Sequence, residues 1–396
     1  METRRRQNVS EEEDLQTVSL DNTRSSTLAN KGEHSAERIP TDLIIEILLK
    51  LPVTSIARCR CVSKLWDSII RRPYFPELIL TRSMARPQLL FACKKDGNVF
   101  FFSSSQPQDP DEKSSPVAAN YHMKFQFDGY SSQFSYSVHR LIFIKFMMVI
   151  CNPSTGQSLT LPNEKTIRIH VINFFGYNPV DKQLKVLSMT RARSGRNRPT
   201  EEHQVLTLGG TEKLSWRMIE CSLPHYPQSD GICINGVLYY KAVVYGFERR
   251  YGIVCFDTWS EKFEFLGKQV LSSKLVNYLG KLGILHLNVN DHMVELCVLE
   301  DAKKHEWSKR IFGPPALQND IAANVTLDVV GVTRRGEIVL SECYYSEFVS
   351  LIYYNLERNI LTKVEVQGLR TFRHWEVHTF LDHVEDVKLG GVFRTT

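Results

Sequence analysis

Two histidines four positions apart, His374 and His378 in "HWEVH", have the spacing with which one helix face can hold a zinc ion. Three features argue against that chemistry. The neighbouring residues alternate like a strand, Glu376 is not where an H-E-x-x-H base stands, and no third ligand is specified. Cys59 and Cys61 form an isolated Cys-x-Cys that on a helix points to two different faces. No G-x-S-x-G, P-loop or strand-to-helix G-x-G-x-x-G is present, and no histidine is paired in sequence with a serine or cysteine nucleophile. The expectation is a protein that is not an enzyme, with no catalytic, cofactor-binding or metal-binding residues.

Recognition chemistry is better represented. "RARSGRNR" sets Arg191, Arg193, Arg196 and Arg198 between two strand-like segments. Guanidinium forks match carboxylate and phosphate geometry, so the run reads either as a clamp for an acidic or phosphorylated partner or as a solvated loop. "VYGFERRY" supplies Tyr245, Arg249 and Arg250, and "CYYSEF" supplies Tyr344 and Tyr345. Tyrosine and arginine dominate the centres of protein interfaces, which makes these residues the expected contacts to a target protein.

Such side chains need a scaffold, and 396 residues are enough for two or three domains. Apolar residues are 42% and charged residues 23%, an ordinary globular balance. The longest apolar run, Leu141 to Cys151, is broken by Lys145 and is far short of a membrane span. The N-terminus opens on Arg4, Arg5 and Arg6 without the apolar stretch of a secretory signal. Nine cysteines, an odd number with no Cys-x-x-Cys, fit a reducing compartment. A net charge of +5 is too weak to argue for nucleic acid. The chain reads as a cytoplasmic or nuclear protein that binds neither nucleic acid nor membrane.

Residues 1–37 are polar and lack periodic apolar positions, so a disordered tail is expected. A helical unit over 38–76 follows. Thr41 or Asp42 can cap a first helix that Pro52 stops, Thr54 or Ser55 a second, and Ser63 a third. Val62, Leu65, Trp66, Ile69 and Ile70 recur at the spacing of one helix face, and Pro73 is the expected end of the helices. The first helix poses a question. Wound at 100° per residue, the apolar residues of "IPTDLIIEILLKLP" (Ile39 to Pro52) cover an arc of about 240°, whereas a helix resting on its own core needs about 100°. Something else must cover the remainder.

Residues 77–88 are rich in apolar groups and bounded by prolines, the composition of a stiff linker rather than a Gly/Ser tether. From residue 89 the period changes to short strands. "GVLYY", "GIVCFD" and "KFEFL" are echoed by "GEIVL", "LIYYN" and "LTKVEV", with Asp257 and Asn355 each six positions before the apolar start of the third strand. "RLIFI", "MMVICN" and "SLTL" form another copy, and weaker ones begin at "GYNPVDKQLKVL" and "KLGILHL". Asn and Asp suit these ends because their side chains bond nearby backbone and initiate turns. Five or six copies some 40 to 55 residues apart signal a radial β array over 89–390, with an irregular β-sandwich as the alternative.

These stretches carry a family resemblance. "IPTDLIIEILLKLPVTSIARCRCVSKLWDSIIRRPYF" resembles the F-box, with Ile39 in place of the usual Leu and Ser63 where many members have Cys. "CNPSTGQSLTLP", "LSWRMIECSLPHYP", "GICINGVLYYKA" and "YYNLERN" are similar to segments of the plant F-box associated domain, type 3. The resemblance implies an α+β multidomain protein: a small three-helix F-box followed by an all-β, kelch-like propeller of about six blades. It further implies docking on a Skp-family adaptor, with a cullin and a RING subunit reached through it, and ubiquitination of a target held by the β domain. Ile39, Pro40, Leu43, Ile47, Leu48, Leu51, Pro52, Ile56, Cys59, Arg60, Val62 and Trp66 are the adaptor-binding residues it implies. Two other readings compete: a stand-alone protein- or glycan-binding propeller with a vestigial F-box, and a DNA-binding unit built on Arg58, Arg60, Lys64, Arg71 and Arg72.

Overall fold

The computed structural model describes residues 39–108, 115–126, 134, 137–138, 140–145, 147–164, 166, 170–191, 200, 202–209, 213–268, 272–288, 293–313, 326–343, 349–372 and 375–385. The tail expected over 1–37 lies outside them, as do Arg193, Arg196, Arg198, Tyr344, Tyr345 and His374.

Three short helices come first: α1 (Thr41–Lys50), α2 (Val53–Cys59) and α3 (Lys64–Ile70). Ser63 caps α3 as its sequence suggested, its hydroxyl accepting from Trp66 N at 3.2 Å. Neither Thr54 nor Ser55 caps α2. Pro52 holds that position because the helix starts at Val53, two residues earlier than a Thr54 cap would set it. Pro73 does not end the helices either. It precedes a fourth, α4 (Tyr74–Ala85), whose Pro76 falls in the first turn, where no intrahelical N–H is needed. Ile44, Leu48, Val53, Ile56, Ile69, Ile70, Phe75 and Ile79 make one core shared by all four helices.

The remainder is a six-sheet ring. β1 (Gln88–Lys95), β2 (Asn98–Ser105) and β4 (Asn120–Gln126) form the first blade, while β3 (Val117–Ala118) joins the last. Blade 2 is β5 (Ile142–Ile144), β6 (Val149–Asn152) and β7 (Gln157–Thr160). Blade 3 holds β8 (His170–Asn178), β9 (Gln183–Arg191), β10 (Glu202–Leu208) and β11 (Arg217–Met218). Blade 4 runs from β12 (His225–Pro227) and β13 (Ile232–Ile234) through β14 (Val237–Val244) and β15 (Arg250–Asp257) to β16 (Phe263–Phe265). Blade 5 is β17 (Lys274–Tyr278), β18 (Lys281–Asn288), β19 (Met293–Asp301) and β20 (Glu306–Phe312). Blade 6 is β21 (Thr326–Val332), β22 (Ile338–Cys343), β23 (Val349–Asn355) and β24 (Ile360–Gln367). The last strand, β25 (Val377–His383), returns to blade 1 and pairs antiparallel with β1.

Cores lie between blades. Phe174, Tyr240 and Phe256 fill the seam of blades 3 and 4, and Phe91, Tyr353 and Val364 that of blades 6 and 1. Strands buried on both faces read as near-continuous apolar runs, which is why "VLYYKAVV" and "RLIFI" lack clean alternation.

The repeated Asn/Asp does what its chemistry suggests. Oδ1 of Asn152, Asn178, Asp257, Asp301 and Asn355 accepts a backbone N–H two residues on, at 2.8–3.1 Å. Four positions after each, at Gly156, Lys182, Glu261, His305 and Asn359, φ lies between 54° and 75°, the left-handed conformation that closes the turn. Only one of the five uses glycine, so the side-chain bond must offset the steric cost at the other four.

Candidate protein-interaction surfaces

In the helical unit, burial divides the expected adaptor-binding residues. Leu48 and Ile56 are fully buried in the unit's own core, which corrects their assignment: a side chain with no surface has nothing to offer a partner. Leu51, Cys59 and Trp66 are half-buried against that core. Leu43 and Ile47, one helical turn apart on α1, are 49% and 41% exposed, and Val62 is 65% exposed. Pro52 is exposed, as are Ile39 and Pro40 of the separate N-terminal unit. Leu65, 42% exposed, belongs with the exposed set, although its spacing puts it on one apolar face with the buried Ile69 and Ile70. The 240° arc is thereby explained. One side of α1 (Ile44, Leu48) faces inward, and another (Leu43, Ile47) is uncovered.

The same unit weakens the DNA reading. Arg60 and Arg71 donate to the two oxygens of Asp67 at 2.9 and 2.7 Å, and these bonds hold the Asp67 carboxyl below the usual carboxylate range. Two of the five cations are thus tied to one carboxylate within the fold.

In the ring, β17, β21 and β25 run in one direction. Residues at their starts, Lys274, Asp328 and His378, line a cavity of about 160 Å³. Residues at their ends, Asn277, Val332 and Asp382, line one of about 620 Å³ that also includes Met84 of α4. The larger cavity therefore marks the face nearer the helices, and the smaller one the far face. Antiparallel pairing carries the β14–β15 connection to the far face, together with the strand ends that flank 192–199 and 344–348. The strand ends that bound the three stretches expected to contact a target thus lie at one face, and of these stretches only the β14–β15 connection is among the described residues in full.

Within that first stretch, the Arg249 guanidinium stands 5.6 Å from the Tyr245 ring and Arg250 lies 5.0 Å from Phe265, so both cations are propped on aromatic faces. Phe247, in the same connection, projects fully into solvent. Arg191 ends β9 on the same face. Among the described residues of "HWEVH", Val377 and His378 lie in β25, and His378 stands 2.6 Å from Glu376. His378 first, and then Lys94 at 2.5 Å, hold the Glu376 carboxyl down at about 2 despite partial burial. With Lys145–Asp230 at 2.5 Å and Lys274–Asp328 at 3.7 Å, this gives the far mouth a ring of paired charges.

Comparison with known proteins matches these two parts separately. Residues 37–78 match the F-box domain, and residues 88–384 match the F-box associated beta propeller domain. The chain belongs to the F-box proteins. It is 49% identical to F-box protein DOR of Arabidopsis thaliana over 90% of this chain and 95% of that one. It is 45% identical to F-box protein At3g61340 of the same plant, over 94% and 98% respectively. Among solved structures, a prolyl oligopeptidase B from Galerina marginata is similar at 10% identity and a TM-score of 0.34, covering 72% of this chain and 42% of that one; a likeness so distant carries no argument. For this F-box protein, domain order and blade number agree with what the sequence resemblance implied.

Proposed function

We propose that the chain is the non-catalytic, substrate-recognition subunit of a Skp–cullin–F-box ubiquitin ligase, working in the cytoplasm or nucleus. The F-box docks on a Skp-family adaptor, which brings cullin and RING subunits, and the far face of the propeller holds the target. One observation carries this reading: Leu43, Ile47, Val62 and Leu65 stay exposed on a helical unit whose core is already filled. Isolated exposed apolar side chains are common, but several on one forty-residue unit suit a partner surface.

Covering Leu43 and Ile47 contributes on the order of 2–3 kcal/mol together, given that about half of each is already hidden. Leu43→Ala with Ile47→Ala should therefore weaken adaptor binding roughly 30- to 150-fold while leaving the circular dichroism spectrum unchanged. Equal affinity of wild type and double variant, measured by titration calorimetry, would overturn the docking assignment and favour a stand-alone binding propeller.

A further inference from the structure

Among the described residues, ligands of the kind that hold metal ions converge at one place. His203 stands on β10, Cys221 lies just after β11, and His225 opens β12, so the seam between blades 3 and 4 brings them together. One ligand atom from each lies within 4.8 Å of the others.

The surrounding hydrogen bonds orient the rings. Thr200 Oγ1 donates its proton to the His225 carbonyl at 2.9 Å and can therefore only accept from His203 Nε2, 3.0 Å away. That fixes the His203 tautomer with its lone pair on Nδ1. At His225, Nε2 lies 2.7 Å from the Tyr240 hydroxyl. Its Nδ1–H and the Cys221 thiol both donate to one acceptor, the Leu223 carbonyl, at 2.7 and 3.2 Å, with Sγ and Nδ1 3.9 Å apart. Two protons aimed at one oxygen mark a spot where a cation can stand. Phe263 and Tyr240 wall the rings, His203 and His225 are buried, and Cys221 is half-buried and leaves a way in.

We propose that His203, Cys221 and His225, with the Leu223 carbonyl, form a site for a zinc-type divalent cation that clips blades 3 and 4 together. The proton balance is simple. The thiol proton leaves to solvent as the sulfur becomes a thiolate ligand. The His225 ring shifts its proton from Nδ1 to Nε2, where the Tyr240 oxygen accepts it, and Nδ1 turns its lone pair to the ion. Metal–nitrogen and metal–sulfur bonds of about 2.0–2.3 Å require atoms now within 4.8 Å of one another to close by on the order of 1 Å, while the Leu223 carbonyl, now 2.7 Å from His225 Nδ1, moves aside to admit the ion. The hydroxyls of Thr200 and Tyr240 are then the outer partners that hold imidazole ligands in orientation.

The test uses the full chain, stripped with a chelator and titrated with Co²⁺. One equivalent should give a thiolate-to-cobalt charge-transfer band that Zn²⁺ abolishes, and Zn²⁺ should raise the melting temperature of the wild type. Cys221→Ser should lose both effects while keeping its circular dichroism spectrum. If that variant fails to fold, His203→Gln takes its place, with cobalt affinity expected to fall at least tenfold. Absence of the band in wild type overturns the site. So does a band that survives both substitutions undiminished, since another cysteine would then be the ligand.

Discussion

Leu43 and Leu48 are the same residue type on one helix, and their surroundings are opposite: the first is half in water, the second fully enclosed. Sequence periodicity could not separate them, because an apolar arc wider than its own core carries no mark of which part turns inward. Leu48→Ala should leave a cavity that costs about 2–5 kcal/mol and unfold the helical unit, so that the proposed adaptor binding is lost through folding. Loss of the unit's helical signal on mild heating, with the propeller transition unmoved, is the expected calorimetric and circular dichroism result. His383 makes a second prediction. It is fully buried with its Nε2 3.1 Å from Ser154 Oγ, and burial, helped by the nearby His122 and Arg140 charges, holds its pKa down at about 3. Unfolded, the ring titrates near 6.5, so the unfolded chain binds more protons below that pH and stability falls as pH drops from 6.5 toward 3. Between pH 7 and pH 5 this one ring should remove about 2 kcal/mol, at ~1.36 kcal/mol per pH interval below 6.5. His383→Gln should flatten the acid limb of the denaturation free energy by that amount.

At the scale of elements, α4 is the joint. Phe75 and Ile79 belong to the helical core, while Ser83, two turns from Phe75, accepts a bond from the backbone N–H of Glu385 at 2.7 Å, just beyond β25. One continuous helix is thus held at both ends, where the prolines had suggested a linker over 77–88. A ten-residue Gly/Ser insertion after Arg86 should leave adaptor and target binding within about twofold. It should slow ubiquitin transfer several-fold, since tethering raises effective concentration only when the span suits the geometry. A reconstituted transfer assay with unchanged rate would refute the joint. The propeller repeats were legible because their signal is local: an Asn or Asp accepts the bonds that build its own turn. Helix α4 was hidden by Pro73 and Pro76, which read as breaks yet fall where a helix tolerates them. The His203, Cys221 and His225 cluster was hidden because blade packing, rather than spacing, assembles it.

At the scale of the molecule, closure decides. Blades 2 to 5 draw their strands from neighbouring sequence, whereas blade 6 adds β3 from far upstream and blade 1 takes β25 from nearly 300 residues downstream of β1. That separation is why blade 1 was the copy the sequence did not display. β25 brings Phe380 into the seam with blade 2 and pairs along β1 from Cys93 to Gln88. Removing residues 377–396 should open the ring, expose the β1 edge and lower the melting temperature by roughly 10 °C or more, with several kcal/mol of seam packing lost. A truncated chain that melts as cooperatively as wild type would show the ring does not need its last strand.

The same late strand sets an order of events during synthesis. Helices α1 to α4 leave the ribosome before the ring and share a core of their own, so they can fold while the propeller is still being translated, with the Ser83–Glu385 bond left until the end. The ring cannot shut until β25 emerges. A nascent or prematurely terminated chain can therefore present a finished helical unit beside an open, edge-exposed sheet. Such a product could compete for partners of the helices without presenting a closed far face, and its free β1 edge is the feature a quality-control system could read.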